Sequence, residues 1–313
     1  MKKFLFPLLM SGAVACSAFG YEGPSPLKNV KVETSTVFDD SNGIYSYSYR
    51  ITNPASNDGE INTISVSIGR DSATDADVSS SGLSHCPHHS ASAQMNLAQT
   101  PMVNVGSSTP NGWSCDYGKG EFVFGCVYER DAIKPGASSA GYVLKSFAPP
   151  GIREVSVAPT IDIDRLPDIY NEDADKLESL EKNLTWTGKT IGPKAPPKVF
   201  VALSYLDYLI SLKDQSVALR WITEKNIEKD LNKIFARAKK KLGQCDERDL
   251  KEAIGELTEE LNKHSRKGLS PEARALLLYN SKYFISQLPK LSKADREKCE
   301  HQHEHDGERK GDR

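Results

Sequence analysis

Six of the seven histidines fall into two short clusters. One is His85-Cys86-Pro87-His88-His89 and the other is Cys299-Glu300-His301-Gln302-His303-Glu304-His305-Asp306. Imidazoles interleaved with thiols and carboxylates form the ligand set of zinc, copper or nickel. His85, Cys86, His88, His89, His301, His303 and His305 are therefore the candidate metal ligands. The plain alternative is a histidine-rich surface loop and a solvated polar tail, with no resident cofactor. A second grouping, Ile161-Asp162-Ile163-Asp164, alternates so as to set Asp162 and Asp164 on one strand face. A carboxylate pair of that kind does acid–base work only in a pocket with a partner group, and solvent-facing strand residues are the simpler reading. Asp71, Asp75 and Asp77 lack the spacing of an EF-hand loop and read as a solvated acidic loop. The chain has no phosphate-binding Gly-Lys-Ser/Thr loop, dinucleotide fingerprint or haem-attachment motif. It also has no Gly-x-Ser-x-Gly elbow and no His-Glu-x-x-His helix. No residue stands out as a nucleophile, so the expectation is a protein that is not an enzyme.

The elements that must position these groups begin with a leader. Lys2-Lys3, the apolar run Phe4 to Met10 and small residues up to Gly20 read as a signal peptide over 1–20. Cys16 follows Ala13-Val14-Ala15, a degenerate lipobox that makes it a candidate lipid anchor. Ala13 replaces the usual leucine there, which favours ordinary cleavage before Tyr21. The expected location is periplasmic or extracellular, with no transmembrane segment in the mature chain. Five cysteines then remain, Cys86, Cys115, Cys126, Cys245 and Cys299, and in an exported protein they are disulfide candidates with one left over. Net charge is −2 in 313 residues, without the strongly basic face that nucleic acid requires.

Composition and apolar period change across Thr185–Lys198, where Gly188, Gly192, Pro193, Pro196 and Pro197 leave no run for a helix or a central strand. Before it, period-two stretches predict antiparallel strands. Tyr45, Tyr47, Tyr49 and Ile51 share one face, and Ile64, Val66 and Ile68 share another. A Gly118-Lys119-Gly120 turn joins two strands that carry Cys115 and Cys126. A bridge between them would close a loop of about a dozen residues, worth nearly 3 kcal/mol in the chain-entropy treatment. Met102 to Val105 is the only periodic stretch between Arg70 and Thr109, and Arg153 to Ala158 gives a last strand. The order Gly112-Trp113-x-Cys115, Cys126, Pro135-Gly136-x-Ser138 resembles the immunoglobulin-like repeat domains of bacterial surface proteins over about 35 residues. That resemblance implies a sandwich fold and is silent on function.

Beyond Pro197 the period becomes helical. Phe200, Leu203, Leu206, Leu209 and Ile210 form the first stripe, and Ile227, Leu231, Ile234, Phe235, Ala238 and Leu242 the second. Thr223 or Asn226 caps that second helix and Gly243 stops it. Asp246 caps a third helix carrying Leu250, Ile254, Leu257 and Leu261. Ser270-Pro271 opens a fourth that faces Leu276, Leu277, Phe284 and Leu288 inward. Four helices with short connections predict a bundle, one end of which would bring Cys245 near Cys299. Gly192-Pro193, Pro196-Pro197, Trp221-Ile222, Ile227, Leu231 and Gly268-Leu269-Ser270 with Ala273 and Leu277 resemble the FIMAH module at the C-terminal end of exported bacterial proteins. This resemblance implies helical packing or interaction and brings no catalytic residues.

The expected fold is thus multidomain: an N-terminal antiparallel β-sandwich of immunoglobulin type, then an all-α four-helix bundle. The expected boundaries are leader 1–20, sandwich 21–160, acidic then Pro/Gly-rich linker 161–198, helical module 199–291 and charged His-rich tail 292–313. The expected function is non-catalytic binding or assembly at the cell envelope, with an envelope protein or surface polymer as partner and no nucleic acid. Periplasmic binding or delivery of a transition metal through the histidine clusters is the alternative.

Overall fold

The computed structural model describes residues 25–68, 106–118, 120–162, 166, 173–244, 246–263 and 268–288. Within them nine strands form two antiparallel sheets, accompanied by five α-helices. The first sheet has the order β1-β2-β7-β4, from β1 (Lys31–Asp39), β2 (Ile44–Thr52), β7 (Ser138–Ser146) and β4 (Gly106–Ser108). The second has the order β5-β6-β3-β8-β9, from β5 (Trp113–Gly118), β6 (Glu121–Cys126), β3 (Ile61–Ser67), β8 (Pro150–Pro159) and β9 (Trp186–Pro193). The leader 1–20, Cys16, Met102–Val105, Cys86, Cys245, Cys299, Asp164 and the tail 292–313 all lie outside the described residues.

Strict alternation in β2 fixes which face is buried: Tyr45, Tyr47, Tyr49 and Ile51 turn inward while their neighbours do not. Across from them the second sheet contributes Ile64, Val66, Phe122, Phe124, Val155 and Val157 to the same cluster. The rings meet edge-on, Phe124–Tyr142 at 5.3 Å and Trp113–Tyr142 at 4.9 Å between centroids. Edge-to-ring pairs of this kind add ~0.5–1.5 kcal/mol to the burial itself. β2 and β3 lie in different sheets, so the turn near Asn53-Pro54 is a crossing between sheets and not a hairpin. Asn53 anchors that crossing by donating from Nδ2 to the carbonyls of Gly59 and Ile133, both at 2.9 Å.

The stretch read from sequence as a linker carries two regular elements. The acidic run is helix α1 (Ala174–Leu184), which Asp173 caps by accepting from the amides of Asp175 and Lys176. Trp186–Pro193 is β9, paired with β8 along its whole length from Val157–Trp186 to Pro150–Pro193. Glycine and proline are tolerated there because β9 is the edge of its sheet and Pro193 ends it. Gly192 is also where chains crowd. A Cβ at that position would lie 3.3 Å from Arg153 Cγ and 3.3 Å from the Tyr49 hydroxyl, which itself donates to the Ile191 carbonyl.

Four helices follow: α2 (Ala202–Ala218), α3 (Lys225–Gly243), α4 (Glu247–Lys263) and α5 (Pro271–Gln287). α2 packs on α3 and α5, and α4 packs on α3 and α5. Their shared core is mostly aliphatic, including Leu206, Leu209, Leu231, Ile254, Leu257, Leu276 and Leu277. The Asp246 and Ser270 caps form as the sequence predicts, accepting from the amides of Asp249 at 2.9 Å and Ala273 at 3.2 Å. The cap of α3 is Glu224 instead of Thr223 or Asn226, and its side chain makes no capping bond. Between the helices the connections themselves pair. Ile222 bridges Leu269, and the Ser270 amide donates to the Trp221 carbonyl at 2.8 Å.

Sheets and helices are not held apart by a hinge. α5 lies along β1, the edge of the first sheet, and answers the backbone groups that β1 turns away from β2. The Thr34 amide donates to Glu272 Oε1 at 2.7 Å, and the Tyr279 hydroxyl donates to the Thr36 carbonyl at 3.1 Å. On the other sheet Asn280 Nδ2 donates to the Pro150 carbonyl at 2.7 Å, and Ile152 and Ile191 pack into the helical core.

Candidate binding surface

The amino end of α2 is positioned by this junction. Tyr205, in the first turn and a half of the helix, donates to Asn280 Oδ1 at 2.8 Å, and Asn280 in turn holds the Pro150 carbonyl of β8. Phe200, just before the helix, packs on the Tyr205 ring at 5.6 Å and on Phe284 at 5.8 Å between centroids. A hydrophobic staple of this kind sets the angle at which the chain enters the helix. Lys194 Nζ lies over the Tyr208 ring, 4.8 Å from its centroid. Burial pushes the Tyr208 hydroxyl up to about 12, with Arg153 opposing the shift. Burial also pushes Tyr45 up to about 12, helped by Tyr279 and Asp40, and drives Tyr205 well above its ordinary value. These phenols stay protonated across the physiological range, and their role is to pack and to donate.

The same fixed geometry turns three aliphatic side chains outward. Val199 is 75% exposed, Val201 41% and Leu203 49%. Leu203 corrects the sequence reading, which faced it inward with Leu206 and Leu209. The buried line of α2 runs instead through Ala202, Tyr205, Leu206, Leu209 and Leu212. Of the six large apolar side chains exposed among the described residues, three fall in this run of five residues, and this concentration marks a surface.

The histidine clusters cannot be joined to it. His85, Cys86, His88, His89, His301, His303 and His305 lie outside the described residues, and among the described residues no group of three or more His, Cys, Asp or Glu side chains could hold a metal ion. Among the described residues no helix is long and apolar enough to cross a membrane. The expected Cys115–Cys126 bridge does not form. Cys126 is a free thiol that donates to the Tyr128 carbonyl at 2.6 Å, whereas Cys115 is already disulfide-bonded. The reason is register: Cys115 stands opposite Phe124 and Cys126 opposite Trp113, so the hairpin sets the two thiols two places apart. Burial and the nearby Asp131 and Glu129 push the Cys126 thiol up while its hydrogen bond opposes them, which makes it a poor nucleophile. Asp162 is described just past β8, but its expected companion Asp164 is not, so no carboxylate pair is brought together here.

No protein-family model matches the chain, and no curated protein does. Function must be argued from the surface alone.

Two grooves remain. One is lined by Asp230, Lys233, Ile234, Arg237 and Glu256 on α3 and α4, where Arg237 already pairs with Glu256 and Lys233 with Asp230. The other lies where β3 and β8 end against α1, beside Asn62, Thr63, Glu178, Glu181 and Lys182. Neither gathers a buried base, a nucleophile and a set of oxyanion donors, which acyl or phosphoryl transfer would require. The buried Lys213 is likewise spoken for, held by Asn232 and by Asp214 at 2.5 Å. The signal that could have exposed the binding surface from sequence was Val201 at a helix start, a position that normally takes Ser, Thr, Asp or Asn.

Proposed function

We propose that this is a non-catalytic exported protein that binds or assembles at the cell envelope, built as an immunoglobulin-like sandwich closed by a helical module. The observation that carries the reading is the exposed aliphatic run Val199, Val201 and Leu203 at the entry to α2. Water-exposed branched side chains at the mouth of a rigid helix cost solubility and contribute nothing to the core, so their use lies in contact with something else. The leader-like start and the cysteine usage direct that contact to the envelope.

A photo-crosslinking residue in place of Val199 tests this in cells, with the same residue in place of the exposed Lys229 on α3 as control. Discrete adducts with envelope components are expected from position 199 and not from 229. Absence of adducts at 199, or turnover of envelope substrates by clean protein, would overturn the reading.

A further inference from the structure

We propose that the occupant of this surface is a bilayer carrying anionic headgroups: Val199, Val201 and Leu203 enter its apolar boundary while Lys198 and the amino end of α2 meet the headgroup phosphates. The proposal rests on the binding reading above and names its partner.

Three independent features converge on these residues. The first is the exposed aliphatic run itself. The grooves on α3–α4 and beside α1 are lined by other residues. Branched aliphatics standing on a surface suit a fluid partner that closes around them, as interfacial helices and loops do.

The second is charge. From Lys182 to Leu206 the chain carries four lysines, Lys182, Lys189, Lys194 and Lys198, and not one carboxylate, although the whole protein has a net charge of −2. Lys189 is paired with Glu154 at 2.6 Å and Lys194 covers Tyr208; of the other two, Lys182 lies in the last turn of α1 and the exposed Lys198 stands directly before Val199. The first carboxylate beyond is Asp207, held by Lys239 at 2.8 Å. Aliphatic side chains preceded by a lysine, with the nearest carboxylate on their own helix already paired, match an anionic interface, where the long amine stays with the headgroups.

The third is the helix start. α1, α4 and α5 are capped by the side chains of Asp173, Asp246 and Ser270, and α3, which has no side-chain capping bond, carries Glu228 in its first turn, whereas α2 begins at Val201 with neither a side-chain capping bond nor an acidic residue in its first turn. The positive end of this helix dipole is therefore met by no capping side chain and no first-turn carboxylate of its own, and a phosphodiester is the anion a bilayer supplies.

Flotation of the full chain with vesicles tests the proposal, using phosphatidylcholine alone and phosphatidylcholine mixed with phosphatidylglycerol. The expected result is partitioning onto the mixed vesicles that weakens with salt. Replacing Val199, Val201 and Leu203 together by serine should lower it by roughly tenfold or more. Lys198→Glu should lower it at least about fivefold at low salt and much less at high salt. Any contribution of the leader is common to all variants, and the substituted positions are exposed, so unchanged far-ultraviolet circular dichroism and melting verify the fold. Equal partitioning of the triple variant, or no preference for anionic vesicles, would overturn the proposal. A protein dimer that the triple variant dissolves, with no vesicle binding, would also overturn it by making a second copy the occupant. If vesicles are ignored while position 199 still crosslinks to an envelope protein, the lipid assignment alone fails. If both fail, so does the binding reading.

Discussion

Beneath the sheets the core is built from rings, with Tyr47, Tyr49, Tyr142, Phe122 and Phe124 all fully buried, whereas among the helices it is built mainly from leucine and isoleucine. The two also differ in how they satisfy polar groups. Tyr47 and Tyr49 carry hydroxyls into the sheet core and spend them on the carbonyls of Ala148 and Ile191. The helical core needs few such donors because helices satisfy their own backbones. Where the regions meet, α5 brings a carboxylate and a phenol to the edge strand β1 and an amide to the start of β8. Two cores of different chemistry are thereby coupled by side chains of α5 bound to distant strand backbones, the Glu272 carboxylate and the Thr34 amide being 238 positions apart. An exposed strand edge is a hazard to a folded protein, and here the last helix removes it.

The sharpest way to break this comparison is to damage each core separately. Phe124→Ala should cost about 3–5 kcal/mol and Leu257→Ala about 2–5 kcal/mol. If the junction couples the two, near-ultraviolet and 222 nm circular dichroism will report one shared urea transition in both variants. Two separated transitions would show that the cores are independent.

Glu272→Ala probes the seam directly. It strands the Thr34 amide in a buried site and should cost about 1–3 kcal/mol, with faster hydrogen exchange at β1 as the local readout. A variant as stable as the parent would mean that α5 merely rests on the sheet. Ser270→Ala removes only the cap of α5 and should cost about 1 kcal/mol in urea unfolding.

High pH probes both regions through their buried phenols. Tyr45 and Tyr208, held at about 12 by burial, keep their protons when an unfolded tyrosine at its ordinary value of 10.0 has lost its own. The stability they contribute is complete below pH 10, falls as pH rises, and is lost through pH 12, because the unfolded chain then binds fewer protons. Absorbance at 295 nm should accordingly show a late group of tyrosines whose ionisation coincides with unfolding. The smallest effect is expected at the surface. Leu203→Ser should change stability by no more than about 0.5 kcal/mol, whereas Leu206→Ala, three places on and buried, should cost about 2–5 kcal/mol.

Much of the frame was legible in the residues. The period of two in Tyr45 to Ile51, the stripes of α3 and α4, and the Asp246 and Ser270 caps form as local chemistry dictates, because each depends on neighbours within a few positions. The edge strand β9 was harder to see, since Gly188, Gly192 and Pro193 argue against a strand. It forms because β8 offers it a ladder, with the smallest residue at Gly192 where Arg153 Cγ and the Tyr49 hydroxyl approach closely. The acidic run before it gave no apolar stripe, and α1 buries only Leu184.

The sequence by itself determined which of the early segments alternate, which of the later ones wind, and where α4 and α5 begin. It could not determine which side of α2 faces inward. Leu206 and Leu209 belong equally to a stripe through Leu203 and to one through Ala202 and Tyr205, and the two differ by a rotation of the same helix. Asn280 on α5 decided it by accepting the Tyr205 hydroxyl while holding β8, and Phe200 locked the entry angle. That choice sent Leu203 to the surface beside Val199 and Val201. A surface of this kind arises from contacts among distant elements, and local periodicity carries no record of them.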